Sequence, residues 1–278
     1  MDIPKRTRML RARCGLVATA LLLATQVALA QVVELRIGGT GNALGAMRLL
    51  GDAFTRSQTR YRVAVQASIG SSGAIRAVPK GAIHIGLTSR PLTEAEAASG
   101  LNAHEYARTP TVFAVQAANP TRSVTLREVA EIYAGRMTRW PDGSPIRPVM
   151  RQPGDDNTQQ IARLSTEIEK ALAVAEQRTG LSFASNDQET ADKLESVPGG
   201  FGVTTLGLIH GEKRAIRALA LDGVEATAGN ARSGRYPLVK RLFMILPREA
   251  APATREFIAF VGSPAGRKIL EDSGHFLP

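Results

Sequence analysis

The sequence predicts an α/β protein. Short apolar runs of strand length recur along the chain, and amphipathic segments of helical spacing lie between them. The turns that join them are rich in Gly, Ser, Thr and Asn. That alternation implies mixed, mainly parallel sheets with helices on both faces. A chain of 278 residues suffices for one large domain or for two lobes. No repeat, low-complexity tract or long linker divides it.

The first thirty residues are read apart from the fold. Lys5, Arg6, Arg8, Arg11 and Arg13 precede the apolar run 16–23, and Ala28-Leu29-Ala30 supplies a small-residue cleavage pattern. Residues 1–30 therefore read as a secretory signal peptide, and the mature chain is expected in the periplasm. No other run approaches the roughly 18 apolar residues of a membrane span. Cleavage removes Cys14, the single cysteine, so the mature chain is expected to hold no disulfide. The formal charge of +10 includes four units from this segment, because its five basic residues are opposed only by Asp2. The remaining Lys and Arg form no run and carry no interleaved aromatics, so nucleic acid is not an expected partner.

Strands are expected at 32–37, 61–67, 84–88, 111–117, 146–150, 201–209, 216–221 and 242–246, each a short apolar or β-branched run. Leu126, Val129, Ile132 and Tyr133 share one helical face, with Thr125 as the cap and Gly135 as the stop. A longer helix is expected to carry Ile161, Leu164, Ile168, Leu172 and Ala175 on one stripe and to end at Gly180.

In open α/β sheets, ligands bind beyond the carboxyl ends of strands, where loops enter helix N-termini. Three loops have that character: Gly39-Thr40-Gly41-Asn42-Ala43, Gly70-Ser71-Ser72-Gly73, and Gly154-Asp155-Asp156-Asn157-Thr158 after Arg151. A helix N-terminus leaves amide N–H groups unpaired and concentrates partial positive charge, so hydroxyls and glycines there suit an anion. One such loop is usually no more than a capped helix; three that converge form a site. Arg151, at a strand end, fits a bidentate fork to an oxyanion.

Other chemistries find little support. The spacing Gly39-x-Gly41-x-x-x-Gly45 misses the dinucleotide fingerprint by one residue. There is no G-x-S-x-G, S-x-x-K or H-E-x-x-H, and His84, His104, His210 and His275 stand far apart, so a hydrolase ranks last and no catalytic residue is assigned. Neither a metal site nor a cofactor is implied.

The stretches GGTGNALGAMRLLGDAF, SIGSSGAIRAV, HIGLTSRPLTEAE, EIYAGRMTRW, SGRYPLVKRLFMIL and FIAFVGSPAGRKILEDSGHFLP occur in order across nearly the whole mature chain. In them the sequence resembles the periplasmic phosphate-binding proteins that feed ABC importers. The resemblance implies a two-lobed type II periplasmic binding protein fold, with lobe 1 at 31–113 and 235–278 and lobe 2 at 114–234. It implies a monomeric, non-enzymatic carrier of a small oxyanion, phosphate first, that delivers to a membrane permease. By family position Gly41, Asn42, Ala43, Ser71, Ser89, Arg151 and the loop 154–158 contact the ligand. Thr40, Ser72 and Gly73, from the same loops, complete the candidate set with Asp155, Asp156, Asn157 and Thr158.

Two positions depart from the family pattern. Ser89 stands where many relatives place an aspartate that accepts the ligand's proton, and Asp155-Asp156 stand where Gly-Ser-Gly-Thr is usual. A carboxylate about 5 Å from a bound charge costs on the order of 3 kcal/mol at an effective dielectric near 20. At least one aspartate is expected to cap the following helix; the other reading is that one replaces the acceptor missing at Ser89. The alternative function is a degenerate member that serves as a sensor or interaction module without phosphate binding. Trp140 is expected to pack, Tyr236-Pro237 to shape the return crossing, and Arg90 either to face the cleft or to pair across the lobes.

Overall fold

The computed structural model describes residues 32–278, and the expected signal peptide at 1–30 lies outside them. Strands β1 (Val33–Gly39), β2 (Tyr61–Val65) and β3 (Ile85–Thr88) alternate with helices α1 (Gly41–Ser57) and α2 (Gly70–Ala77). Helix α3 (Glu94–Ala98) then leads into the long strand β4 (Leu101–Gln116). Next come β5 (Ser123–Val124), α4 (Leu126–Tyr133), β6 (Arg147–Arg151), α5 (Asp156–Ala162), α6 (Thr166–Gln177) and β7 (Ser182–Ala184). Helix α7 (Asp187–Ser196), β8 (Gly200–Thr205), α8 (Leu206–Gly211), β9 (Ile216–Ala218), β10 (Ala220–Leu221) and α9 (Ala228–Arg232) follow. The chain returns through β11 (Val239–Pro247) and closes with α10 (Pro252–Val261) and α11 (Pro264–Asp272).

The main sheet runs β2-β1-β3-β11-β4-β8-β6-β7, with β9 added alongside β4. Its two ends are parallel: β1 with β2 and β3, and β6 with β7 and β8. Its middle is antiparallel, because β11 pairs with both β3 and β4, and β4 pairs with β8. One strand serves both halves. The first part of β4 pairs with β11 from Leu101 to Pro110, and the second with β8 from Thr111 to Val115.

The buried apolar side chains follow this division. Leu35, Ile37, Leu44, Met47, Phe54, Met244 and Phe257 belong to one core. Phe113, Tyr133, Trp140, Ile161, Leu172 and Phe201 belong to another. In the second, Phe113 stacks on Phe201 at 5.8 Å and Trp140 meets Phe201 edge-on at 6.0 Å, so Trp140 is a packing residue as expected. The buried Tyr236 donates its hydroxyl to the Thr111 carbonyl at 2.9 Å, pinning the approach to β11 against β4.

Local chemistry explains most boundaries. Thr125 caps α4 in a reciprocal capping box with Glu128. Four expectations are corrected. The run 216–221 is not one strand but two, β9 alongside β4 and β10 paired with β5 in a separate two-stranded sheet. The run 201–209 is not one strand, because the Thr205 hydroxyl accepts from the Leu208 amide and starts α8. The single long helix over 161–175 is two helices, because Ser165 accepts from the Ile168 amide and restarts the chain as α6. The strand at 111–117 begins ten residues earlier, at Leu101.

Candidate ligand-binding cleft

The loops after β1, β2, β3, β6 and β7 open onto one cleft of about 590 Å³. Thr40, Asn42, Ser71, Ser72, Gly73 and Ser89 line it from one side. Arg151, Asp155, Asp156 and Asn157 line it from the other. The candidates Gly41, Ala43 and Thr158 are not on its walls. Ala43 is wholly buried in the first core. Gly41 lies against α7, where an added Cβ would come within 2.4 Å of Gln188 Oε1. Thr158 gives its amide to Asp155 at 3.3 Å.

The wall formed by α2 is an open donor array. Eight of the eleven described helices have a side-chain cap at the N-terminus; α1, α2 and α10 do not. The N-cap position of α2 is Ile69, which has no oxygen to offer, so the amides of its first turn have no side-chain acceptor. Ser71 Oγ accepts from the Ser89 amide at 3.1 Å and lies 3.3 Å from the Ser89 hydroxyl, joining the second and third loops. Arg76, one turn into α2, is exposed on this wall and forms no ion pair among the described residues. Arg90 also lines the cleft, but its two terminal nitrogens hold the Glu96 carboxylate at 2.8 Å each. Those bonds keep the Glu96 carboxyl well down, at about 2. Arg90 thus faces the cleft and pairs with the adjacent α3, not with a group across it.

On the opposite wall the charged groups are already paired. Arg151, with its side chain about a tenth exposed, donates to Asp155 Oδ2 at 2.6 Å and lies 3.7 Å from Asp187 Oδ1. Its other terminal nitrogen reaches Thr190 Oγ1 at 3.2 Å, and its Nε is buried without a partner. Asp155 is the N-cap of α5, accepting from the amides of Asn157 at 3.0 Å and Thr158. The half-exposed Asp156 pairs instead with the buried Lys240 of β11. Capping, the first of the two readings of these aspartates, therefore describes Asp155.

Asp187 is the residue that sequence reasoning missed. It starts α7, is buried, and accepts from the Asn42 amide at 3.2 Å and from Asn157 Nδ2 at 3.1 Å. Its carboxylate thereby supplies from a distant helix the acceptor that α1 lacks at its own cap. Burial pushes the Asp187 carboxyl up from its usual range, against the pull of Arg151. Beside it, Gln188 Nε2 bridges the Gly41 carbonyl at 3.0 Å and Glu212 Oε1 at 2.9 Å. A trace was present in the sequence: Ser185 and Asn186, which also line the cleft, form with Asp187 a fourth strand–loop–helix junction.

None of the four histidines lines this cleft, and Ser71 and Ser89 have each other as partners instead of a base. What the walls can do is hold a small polar anion with amides, hydroxyls and a guanidinium.

Known proteins resemble this chain in sequence and in fold. A model of the PBP superfamily domain matches residues 24–265. The chain is 25% identical over 249 residues to the phosphate-binding protein PstS of Bacillus subtilis strain 168, covering 87% of this chain and 80% of that one. Its fold is similar to that of a putative phosphate ABC transporter substrate-binding protein with bound phosphate from Clostridium perfringens. There the TM-score is 0.72 at 21% identity, over 88% of this chain and 99% of the other. The molybdate-binding protein of Azotobacter vinelandii shares the fold at a TM-score of 0.63 and 16% identity, over 88% and 99% of the two chains.

Proposed function

From the premise that the chain belongs to the PBP superfamily, we propose that it captures a small oxyanion, phosphate first, in the cleft and delivers it to a membrane ABC permease. The reading includes export through the segment 1–30, action as a monomer, and no chemical change in the cargo. The lobes at 31–113 with 235–278 and at 114–234 close on the ligand about the two chain crossings between them, β4 and the return segment that leads into β11.

The observation that carries this reading is the α2 wall. Its first-turn amides have no side-chain cap, and the Ser71–Ser89 pair and Arg76 stand beside them on a cleft whose far wall holds Arg151. Amides and hydroxyls replace the hydration of a bound oxyanion without adding charge, and the similarity to the phosphate-binding protein of Bacillus subtilis and to the Clostridium perfringens protein with bound phosphate makes phosphate the first candidate.

Thermal unfolding with and without phosphate tests it. Phosphate at about a hundred times its dissociation constant stabilises the native state by about 2.7 kcal/mol, which raises the melting midpoint by several degrees. No shift with phosphate, arsenate or molybdate would refute the proposal and leave the sensor reading.

A further inference from the structure

Away from the cleft, we infer a second binding site: a cavity lined by β4, β11, α10 and α11 takes a small apolar carboxylate, whose oxygens are held by Arg267 and by the Tyr106 hydroxyl.

The cavity measures about 320 Å³, at the small end of the range for ligand pockets. Met244 of β11, Ile258 and Val261 of α10, and Leu277 give it an apolar wall. It shares no wall residue with the oxyanion cleft, so the inference stands apart from the proposed function.

Tyr106 carries the first part. The register of β4 on β11 shifts here: Ala107 stands opposite Leu242 and Glu105 opposite Phe243, so Tyr106 is the extra residue and faces none of β11. Such bulges re-aim a side chain and recur next to functional sites. Tyr106 is 5% exposed and lines the cavity, yet its hydroxyl is buried with no partner among the described residues. Tyr236, also buried, meets the same demand within the chain through the Thr111 carbonyl. A buried donor without an acceptor is costly, and an oxygen brought by a ligand removes that cost.

The charges carry the second part. Arg267 Nε donates to the Gly262 carbonyl at 2.8 Å, which anchors the guanidinium on the cavity wall, and its terminal nitrogens hold no carboxylate among the described residues. That leaves a free fork for one carboxylate. The lining carboxylate Glu105 is already matched twice, with Oε1 on Arg108 Nε at 2.6 Å and Oε2 on Arg241 Nε at 3.0 Å. Arg267, Arg108 and Arg241 against Glu105 therefore leave a positive surplus, which persists even with a carboxylate at Pro278. The ligand is accordingly a monoanion with an apolar body.

The test is calorimetry of the protein with octanoate, acetate and octylamine. Octanoate is expected to bind at one site per chain with a dissociation constant of about a millimolar or tighter. Acetate, which lacks the apolar body, is expected to bind at least about tenfold more weakly, and octylamine, with the opposite charge, likewise. Tyr106→Phe and Arg267→Gln are each expected to lose about fivefold in octanoate affinity. Tyr106→Phe gives up no bond within the chain, so its urea midpoint is expected to match or exceed that of wild type. Phosphate added at about ten times its own dissociation constant is expected to leave octanoate binding unchanged.

No octanoate heat up to about 10 mM overturns the inference and leaves the cavity to water. So does octanoate affinity that is the same in wild type, Tyr106→Phe and Arg267→Gln, or octylamine binding as tight as octanoate. Octanoate displaced by phosphate would place it in the cleft, which refutes the second site while supporting anion capture there.

Discussion

The two walls of the cleft are built from the same local plan and end in opposite states. Each is a strand, a glycine-containing turn and a helix N-terminus: β2 to α2 on one side, β6 to α5 on the other. At the cap of α2 stands Ile69, which cannot accept a hydrogen bond, and the first-turn amides are left without a side-chain partner. At the cap of α5 stands Asp155, which takes two of those amides and also holds Arg151. One side chain at one position thus decides whether a helix end is offered to a ligand or closed on itself. The α5 wall accordingly contributes rigidity and a fixed charge pattern, while the α2 wall contributes free donors.

The largest expected effect separates the two arginines. Arg151→Met removes the cation from between Asp155 and the buried Asp187, and breaking such a cluster costs about 3–5 kcal/mol. In a chain of this size that lowers the melting temperature on the order of 10 °C. Arg76→Met, on the exposed residue of the other wall that forms no ion pair among the described residues, is expected to stay within about 0.5 kcal/mol of wild type in urea unfolding without ligand. Equal losses in the two variants would erase the distinction between a structural wall and a ligand-facing one.

The capping positions give a smaller contrast. Asp155→Ala removes a cap and a charge-assisted hydrogen bond together and is expected to cost about 2 kcal/mol, whereas Asp155→Ser keeps the cap and costs less than half of that. Ser71→Ala, across the cleft, loses only its bonds to Ser89 and is expected to cost at most about 1 kcal/mol. Denaturant midpoints of the three variants rank them, and an Asp155→Ser loss as large as that of Asp155→Ala would place the stabilisation in the ion pair instead of the cap.

The same contrast marks how far the sequence could be read. The α/β alternation, the capped start of α4 and the three glycine-containing junctions were legible, because each depends on residues close together in the chain, whereas their meeting on one cleft is a property of the fold. The second half of 201–209 was misread because Leu206, Leu208 and Ile209 continue an apolar run that only the Thr205 cap interrupts. The first half of β4 was missed because Pro110 argues against a strand, yet it sits opposite Val239 in a register set by β11. Asp187 was missed for a different reason. An acid at the first position of a helix is ordinary, and what makes this one part of the cleft is a bond to Asn42, 145 residues earlier. Arg76 appeared in the quoted loop but not among the candidates, because its freedom shows only once the partners of Arg90 and Arg151 are known.

The smallest expected effect tests whether the walls differ in backbone at all. Gly70 opens α2 with φ +68° and Gly154 precedes the Asp155 cap with φ +82°, and at neither does an added Cβ meet any atom within 4 Å. Replacing either by Ala therefore carries only the conformational cost of a left-handed L-residue, about 1 kcal/mol in each case. Equal losses for Gly70→Ala and Gly154→Ala, measured side by side in urea, would show that both turns impose the same backbone demand and that the difference between the walls lies in the caps. A clearly larger loss at Gly154 would show instead that the α5 turn is also held tighter as backbone, so that replacing Asp155 alone would not convert that wall into a ligand-receiving one.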